Sequence, residues 1–215
     1  MPDVLTKLLT KTGSGGVGMG GDVGGFGGGG GGGGREAPLF DTARVGLWVF
    51  LGSLTMLFAS FTSAFIVRRA GADWAPLRVP SALWMNTAVL LLSSVTIEVG
   101  RRAFESWRPL AFRKWISLTF LLGAAFVAGQ LFAWRQLAEQ GIFLHSNPHS
   151  SFFYVLTGVH AAHVVGGILA LLYVLVQSWR YRLTPGVSSA PALCATYWHF
   201  VDAVWIYLFV VLFVI

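Results

Sequence analysis

The amino-acid sequence predicts an all-α integral membrane protein, a bundle of five transmembrane helices preceded by a flexible glycine-rich N-terminal tail. The composition supports this class, because 55% of the residues are hydrophobic and only 11% are charged, whereas soluble domains carry about 25% charged residues. The chain also contains five apolar segments, each close to the ~20 residues that a helix needs to cross a bilayer. No signal peptide is evident, because the N-terminus is polar and then rich in glycine.

Residues 1–40 form the predicted tail. Between Gly13 and Gly34, 16 of 22 residues are glycine. Such a segment buries little apolar surface and loses much backbone entropy when it is ordered, so we expect it to be flexible. A phosphate-binding glycine loop is disfavoured, because no strand precedes the segment and no Gly-Lys-Ser/Thr follows it.

The five predicted spans make up the transmembrane domain, residues 41–215. Basic residues, a proline or the end of the chain delimit them, at 45–67, 81–99, 115–134, 151–176 and 197–215. Tryptophans near the ends of the spans match the interfacial positions that indole rings prefer. These predicted interfacial residues are Trp74, Trp84, Trp107, Trp115, Trp134, Trp179 and Trp198.

Basic residues are distributed unequally between the two sides of the membrane. Eleven lie in the tail and in the loops on the N-terminal side, and four lie in the loops on the opposite side. The positive-inside rule therefore predicts a cytoplasmic N-terminus and an external C-terminus. We attribute the net charge of +6 to this topology and not to a nucleic-acid partner. Four residues are predicted to contact anionic lipid head groups at the cytoplasmic interface: Arg101, Arg102, Arg113 and Lys114.

Several polar side chains fall inside the predicted spans, where they are costly unless they find partners. They are Glu98, Gln130, His160, His163, His199 and Asp202. His160 and His163 share one face of the fourth span. In a hydrocarbon core of about 30 Å, His163 and Asp202 lie at levels that differ by about one helical turn. A hydrogen bond between these two residues, direct or through water, is therefore predicted.

Three roles are open for these polar residues. We favour a buried network that fixes the register of the helices. The histidine pair could instead bind a metal with Asp202 as a third ligand, although metals usually need three or four ligands. A proton path through Glu98, Asp202 and the histidines is the third role. His145 and His149 fall in the loop before the fourth span and are predicted to be solvated. With Cys194 as the single cysteine, no disulfide or thiolate cluster can form within the chain.

Two sequence signatures resemble those of subunit III of the haem–copper terminal oxidases. In the fourth span, Phe152-Phe153 precedes the segment TGVHAAHVVG at 157–166, and in the fifth span residues 197–205 read YWHFVDAVW. Asn86-Thr87, Ser93-Ser94 and Gln130 also match. The resemblance covers about residues 45–215 and matches the five-helix bacterial form of this family.

The resemblance implies an accessory, non-redox subunit of a proton-pumping cytochrome c oxidase, the respiratory complex that reduces dioxygen to water. The haems and copper are then expected in subunits I and II, and no catalytic, cofactor or metal site is expected in this chain. The chain would pack directly on subunit I, contact subunit II and small subunits, hold phospholipids and support proton uptake. Membership of a larger respiratory supercomplex stays open. The implied location is the inner (plasma) membrane of a bacterium, with the C-terminus in the periplasm.

The chain departs from the family pattern at two places. Many members carry a glutamate in the middle of the first of these five helices, where this chain has Leu54. Seven-helix members begin with two further helices that form one wall of a lipid-filled cleft, and this chain has the glycine-rich tail there. Two alternatives remain: the same fold serving a quinol oxidase or a nitric oxide reductase, and an independent ion or metal transporter built on His160, His163 and Asp202.

Overall fold

The computed structural model describes residues 42–71, 81–143 and 148–213 of the 215-residue chain. This part contains five α-helices and no strand: α1 Thr42–Arg69, α2 Ser81–Glu105, α3 Pro109–Glu139, α4 Pro148–Trp179 and α5 Ala190–Phe213. All five are long and apolar enough to cross a membrane. The prediction of an all-α, multi-pass membrane protein is confirmed. The predicted tail at 1–40, Trp74 and His145 lie outside the described residues.

The helices extend beyond the predicted spans. α3 covers Pro109–Glu139 where the sequence predicted 115–134, and α5 begins at Ala190 where the sequence predicted 197. The predicted bounds of α3 were too narrow because they stopped at Lys114 and Arg135, whereas backbone hydrogen bonding continues into the polar interface. The predicted start of α5 was too late although residues 190–196 are uncharged. As a consequence Asp202 lies 12 positions after the first residue of α5, about two turns deeper in the helix than expected.

Four of the helices form a closed bundle. α2 contacts α3, α3 contacts α4, α4 contacts α5, and α5 returns to α2. α1 lies outside this ring and packs against α4 and α5. Large apolar side chains of α1, including Trp48, Met56 and Val67, remain exposed, as expected for a helix that faces lipid or another membrane subunit.

Trp198 of α5 fills the centre of the four-helix bundle. Its side chain is 1% exposed, and its indole N–H donates to the hydroxyl of Ser93 on α2 at 2.9 Å. The ring lies against Gly123 of α3 and Gly167 of α4, where an added Cβ would come within 2.6 Å of Cη2 and 3.0 Å of Cε3. One side chain of α5 therefore fixes its distance to the other three helices. The prediction that Trp198 is an interfacial residue is wrong, because α5 starts two turns earlier than predicted.

Three helices end in the same hydrogen-bonded turn. At the end of α3, Gly141 has a φ of 75°, and the N–H of Ile142 donates to the carbonyl of Leu137 at 3.0 Å. α2 and α4 end with the same bonds, but the glycine position is taken by Trp107 with a φ of 56° and by Tyr181 with a φ of 53°. For a residue with a Cβ this backbone conformation costs about 1–2 kcal/mol. Two helix ends therefore carry an aromatic residue at a position where glycine would adopt the same backbone conformation without strain.

Candidate functional site

A row of polar side chains joins α2 to α5. Nδ1 of His199 is hydrogen-bonded to the Ser94 hydroxyl at 2.7 Å, and Nε2 lies 4.0 Å from the Glu98 carboxylate. Glu98 accepts two N–H bonds from Arg101, at 2.9 and 2.8 Å, and one from Arg102 at 2.9 Å. The structure thus brings Glu98 and His199 together, near the end of α2 and the beginning of α5.

Asp202 lies one turn beyond His199 on α5 and is buried. Among the described residues, neither of its carboxylate oxygens makes a hydrogen bond of good geometry, although the Ser94 hydroxyl lies close enough to interact with the carboxyl. No direct hydrogen bond joins Asp202 to His163 in the described structure, and Nδ1 of His163 donates to the Val159 carbonyl of its own helix at 2.7 Å. A bond through water stays a prediction. An ionised carboxylate without a partner is costly at this depth. The Asp202 carboxyl is therefore suited to hold a proton or to bind a group that enters the bundle.

His160 occupies an aromatic enclosure. Its ring is 1% exposed, and neither ring nitrogen has a hydrogen-bond partner in the described part of the chain. The ring centroid lies 5.1 Å from that of Trp205, 6.0 Å from that of Phe126 and 6.5 Å from that of Phe58. His163 is only half-buried. The two histidines therefore occupy different environments although they share a helix face.

Gln130 belongs to a separate contact between α2 and α3. Its side-chain oxygen accepts a bond from Asn86 Nδ2 at 3.4 Å, and both residues are buried. Gly129 makes this approach possible, because a Cβ there would collide with the Asn86 side chain. Within the described residues, the polar side chains thus form several separate groups, and their joint action as one network stays a prediction.

Arg113 was predicted to face lipid head groups, but its side chain is only 7% exposed. Nη2 donates to the Ser178 carbonyl at 2.7 Å, and Nε donates to the Ser178 hydroxyl at 3.3 Å. Arg102 and Lys114 are exposed and Arg101 is partly exposed. The burial of Arg113 had a sequence signal in Pro109, since proline favours the first turn of a helix, and a helix that starts there places residue 113 on the same face as Ile116.

His149 is also buried, and the prediction of a solvated loop residue is wrong. It lies in the first turn of α4, which begins at Pro148. Its Nε2 is 3.1 Å from the Leu212 carbonyl of α5, and its ring packs edge-on against Phe65 of α1 at 5.8 Å between centroids. His149 therefore joins the beginning of α4 to α1 and to the end of α5.

The described residues do not assemble a metal-binding set. In residues 42–71, 81–143 and 148–213, no three His, Cys, Asp or Glu side chains come close enough to hold one ion. Metal sites in proteins usually need three or four such ligands. The contacts that the described polar side chains make between helices are hydrogen bonds.

Comparison with known proteins identifies the family. The family model of cytochrome c oxidase subunit III matches residues 32–215. The cytochrome c oxidase subunit 3 of Corynebacterium diphtheriae is 39% identical over 179 residues, covering 80% of this chain and 87% of the relative. The probable cytochrome c oxidase subunit 3 of Mycobacterium tuberculosis is 38% identical over 176 residues, with coverages of 80% and 87%. That of Thermostichus vulcanus is 36% identical over 180 residues, with coverages of 80% and 86%. The chain belongs to the cytochrome c oxidase subunit III family.

Proposed function

We propose that this chain is the accessory, non-redox subunit III of a proton-pumping cytochrome c oxidase in a bacterial plasma membrane. The family match carries the proposal, because it extends from residue 32 to residue 215 and so includes all five helices. In such a complex dioxygen is reduced to water at haem and copper held by partner subunits. This chain stabilises the haem-bearing subunit I, holds phospholipids and supports proton uptake.

The exposed surface of the bundle supports direct packing on a larger membrane subunit. α1 contacts only α4 and α5 of the described helices and leaves Trp48, Val49 and Ile66 exposed. Membrane helices associate through such apolar faces by van der Waals packing. The excess of basic residues on one side supports a cytoplasmic N-terminus and a periplasmic C-terminus.

The polar row between α2 and α5 supports a role in register and in proton holding. Ser94 and Glu98 lie one turn apart on α2 and face His199 of α5. These contacts oppose a sliding of α5 along α2. Asp202 continues the row into the buried part of the bundle, where a protonatable group can exchange protons only through its neighbours.

The proposal is tested by purifying the tagged chain from its native membrane in mild detergent. We expect larger haem-bearing subunits to co-purify with it. The purified complex should consume dioxygen when it is supplied with reduced cytochrome c. Oxidation of quinol or reduction of nitric oxide by the same particle would instead assign the chain to one of the alternative oxidases. A chain that purifies alone, binds metal or moves an ion across liposomes would contradict the proposal.

Replacing Asp202 with leucine tests the role of the buried carboxyl. We expect sustained turnover of the oxidase to be shortened, because a leucine at this buried position can neither hold nor pass a proton. The haem spectrum should be unchanged. Subunit ratios, oxygen uptake over repeated turnovers and the spectrum are the measurements. Asp202→Asn is the matched control, because it keeps the size and the polarity of the side chain. Loss of haem absorbance in the Asp202→Leu complex, with the subunit retained, would contradict the assigned role.

A further inference from the structure

A cavity lies where α2 turns into α3 and where α4 ends. Its volume is about 190 Å³. The walls are mainly apolar and include Phe104, Trp107 and Tyr181, and two arginines, Arg108 and Arg113, also line it. The cavity therefore combines two positive charges with an apolar surface at the ends of membrane-spanning helices.

The Arg113 guanidinium is buried, and no carboxylate among the described residues pairs with it. Its N–H groups donate to the Ser178 carbonyl and hydroxyl and to the Tyr181 hydroxyl at 3.4 Å, which are all neutral oxygens. The described ion pairs of the chain all involve Glu98 or Glu105, and none of them includes Arg113. A guanidinium carries five N–H groups, so two remain for a ligand. Burying a cation without a counter-charge is costly, which favours the entry of an anion.

The aromatic walls of the cavity occupy unusual backbone positions. Trp107 and Tyr181 are the two described residues other than glycine with a positive φ, and both line this cavity. The equivalent turn at the end of α3 uses Gly141 and lines no part of it. The Tyr181 ring lies 4.3 Å and the Trp179 ring 5.0 Å from the Arg113 guanidinium carbon. Strained backbone tends to occur at binding sites, and here the strained Tyr181 places its ring beside the buried cation.

We infer that this cavity binds a phosphate group, supplied by an anionic phospholipid. Arg113 and Arg108 donate to the phosphate oxygens, as arginines do at phosphate sites. The apolar walls around Phe104 and Trp107 contact the glycerol and the first carbons of the acyl chains. The inference assigns residues to the lipid-holding role proposed above and rests on that role.

The test compares two neighbouring charge deletions in the intact oxidase. Arg113→Gln removes the buried cation that lines the cavity. Lys114→Gln removes an exposed cation one residue away that does not line the cavity, so both variants lose one positive charge and only one of them alters the proposed site. Each complex is stripped of loosely held lipid, incubated in nanodiscs that contain phosphatidylglycerol, and weighed by native mass spectrometry. We expect Arg113→Gln to weaken retention of one phosphatidylglycerol about tenfold or more, the effect of one charge-assisted hydrogen bond. Lys114→Gln should retain it.

A second variant, Arg108→Gln, and competition with inorganic phosphate test the same site. If Arg113→Gln does not assemble, Arg108→Gln replaces it in the test. Arg108 is exposed, so this variant should fold, and we expect it to lose the same lipid to a smaller extent. Release of the lipid from the unmodified complex by millimolar inorganic phosphate would support the inference, because it would show that the site recognises the phosphate group of the lipid and free phosphate alike. Equal lipid retention in all variants, with the chain present in a haem-bearing complex, would overturn this inference and leave the proposed function intact. A chain that fails to join such a complex would instead overturn the proposed function.

Discussion

Replacing Trp198 with alanine should lower the free energy of unfolding by about 3–5 kcal/mol, the cost of truncating a large buried aromatic side chain. The indole is buried between Gly123 and Gly167 and donates to Ser93, so truncation leaves a cavity bordered by four helices. Thermal loss of helical circular dichroism in detergent measures the effect. For a chain of this size we expect the melting temperature to fall on the order of 10 °C.

Trp48→Ala is the matched control, because Trp48 of α1 is 65% exposed and the same atoms are removed. We expect its free energy of unfolding to stay within about 0.5 kcal/mol of the unmodified chain. The free energy of unfolding of Trp198→Phe should lie between those of the two alanine variants, because phenylalanine keeps part of the buried ring but loses the hydrogen bond to Ser93. Equal melting temperatures for the two alanine variants would show that α5 does not pack as described.

Replacing Gly123 with alanine should destabilise the bundle by about 1–3 kcal/mol, the usual cost of overpacking a core. The new methyl group would lie 2.6 Å from Cη2 of Trp198. The ring cannot move away, because Gly167 of α4 also lies against it and its N–H is held by Ser93. The same melting experiment gives the result.

The control for this substitution is Gly46→Ala in α1, where an added Cβ meets no other atom within 4 Å. Alanine is favoured over glycine within a helix by about 1 kcal/mol, so this variant should be stabilised. The two substitutions are chemically identical, and the account predicts effects of opposite sign. A stabilising effect at Gly123 would contradict the close approach of α3 to α5.

The number and type of the helices could be predicted from the sequence, because a membrane span requires a long apolar segment whatever its neighbours are. The bounds could not be predicted as well, since charged residues at the interface remain in the helix. At α3 the helix continues past Lys114 and Arg135. At α5 the predicted start was too late although residues 190–196 carry no charge, and these additional residues bring Trp198 into the core. The family resemblance drawn from the fourth and fifth spans is confirmed by the comparisons.

The partners of the polar residues could be predicted only in part. Spacing along a helix fixes which side chains share a face, but it does not say which neighbouring helix covers that face. His163 and Asp202 have similar predicted depths, yet His163 bonds its own helix. Arg113 is buried because α4 ends at Trp179 and turns at Tyr181 over it. This contact depends on residues more than 60 positions away, so the local pattern of α3 indicates the face on which Arg113 lies but not the residues that cover it.

The haem content of an oxidase purified from cells that lack this chain tests the central claim most directly. The account predicts that haem and copper stay bound to the remaining subunits, with unchanged optical spectra and initial turnover, and that activity declines faster over repeated turnovers. Loss of a haem or copper signal from the remaining complex, together with iron or copper bound to this chain when it is purified alone, would contradict it.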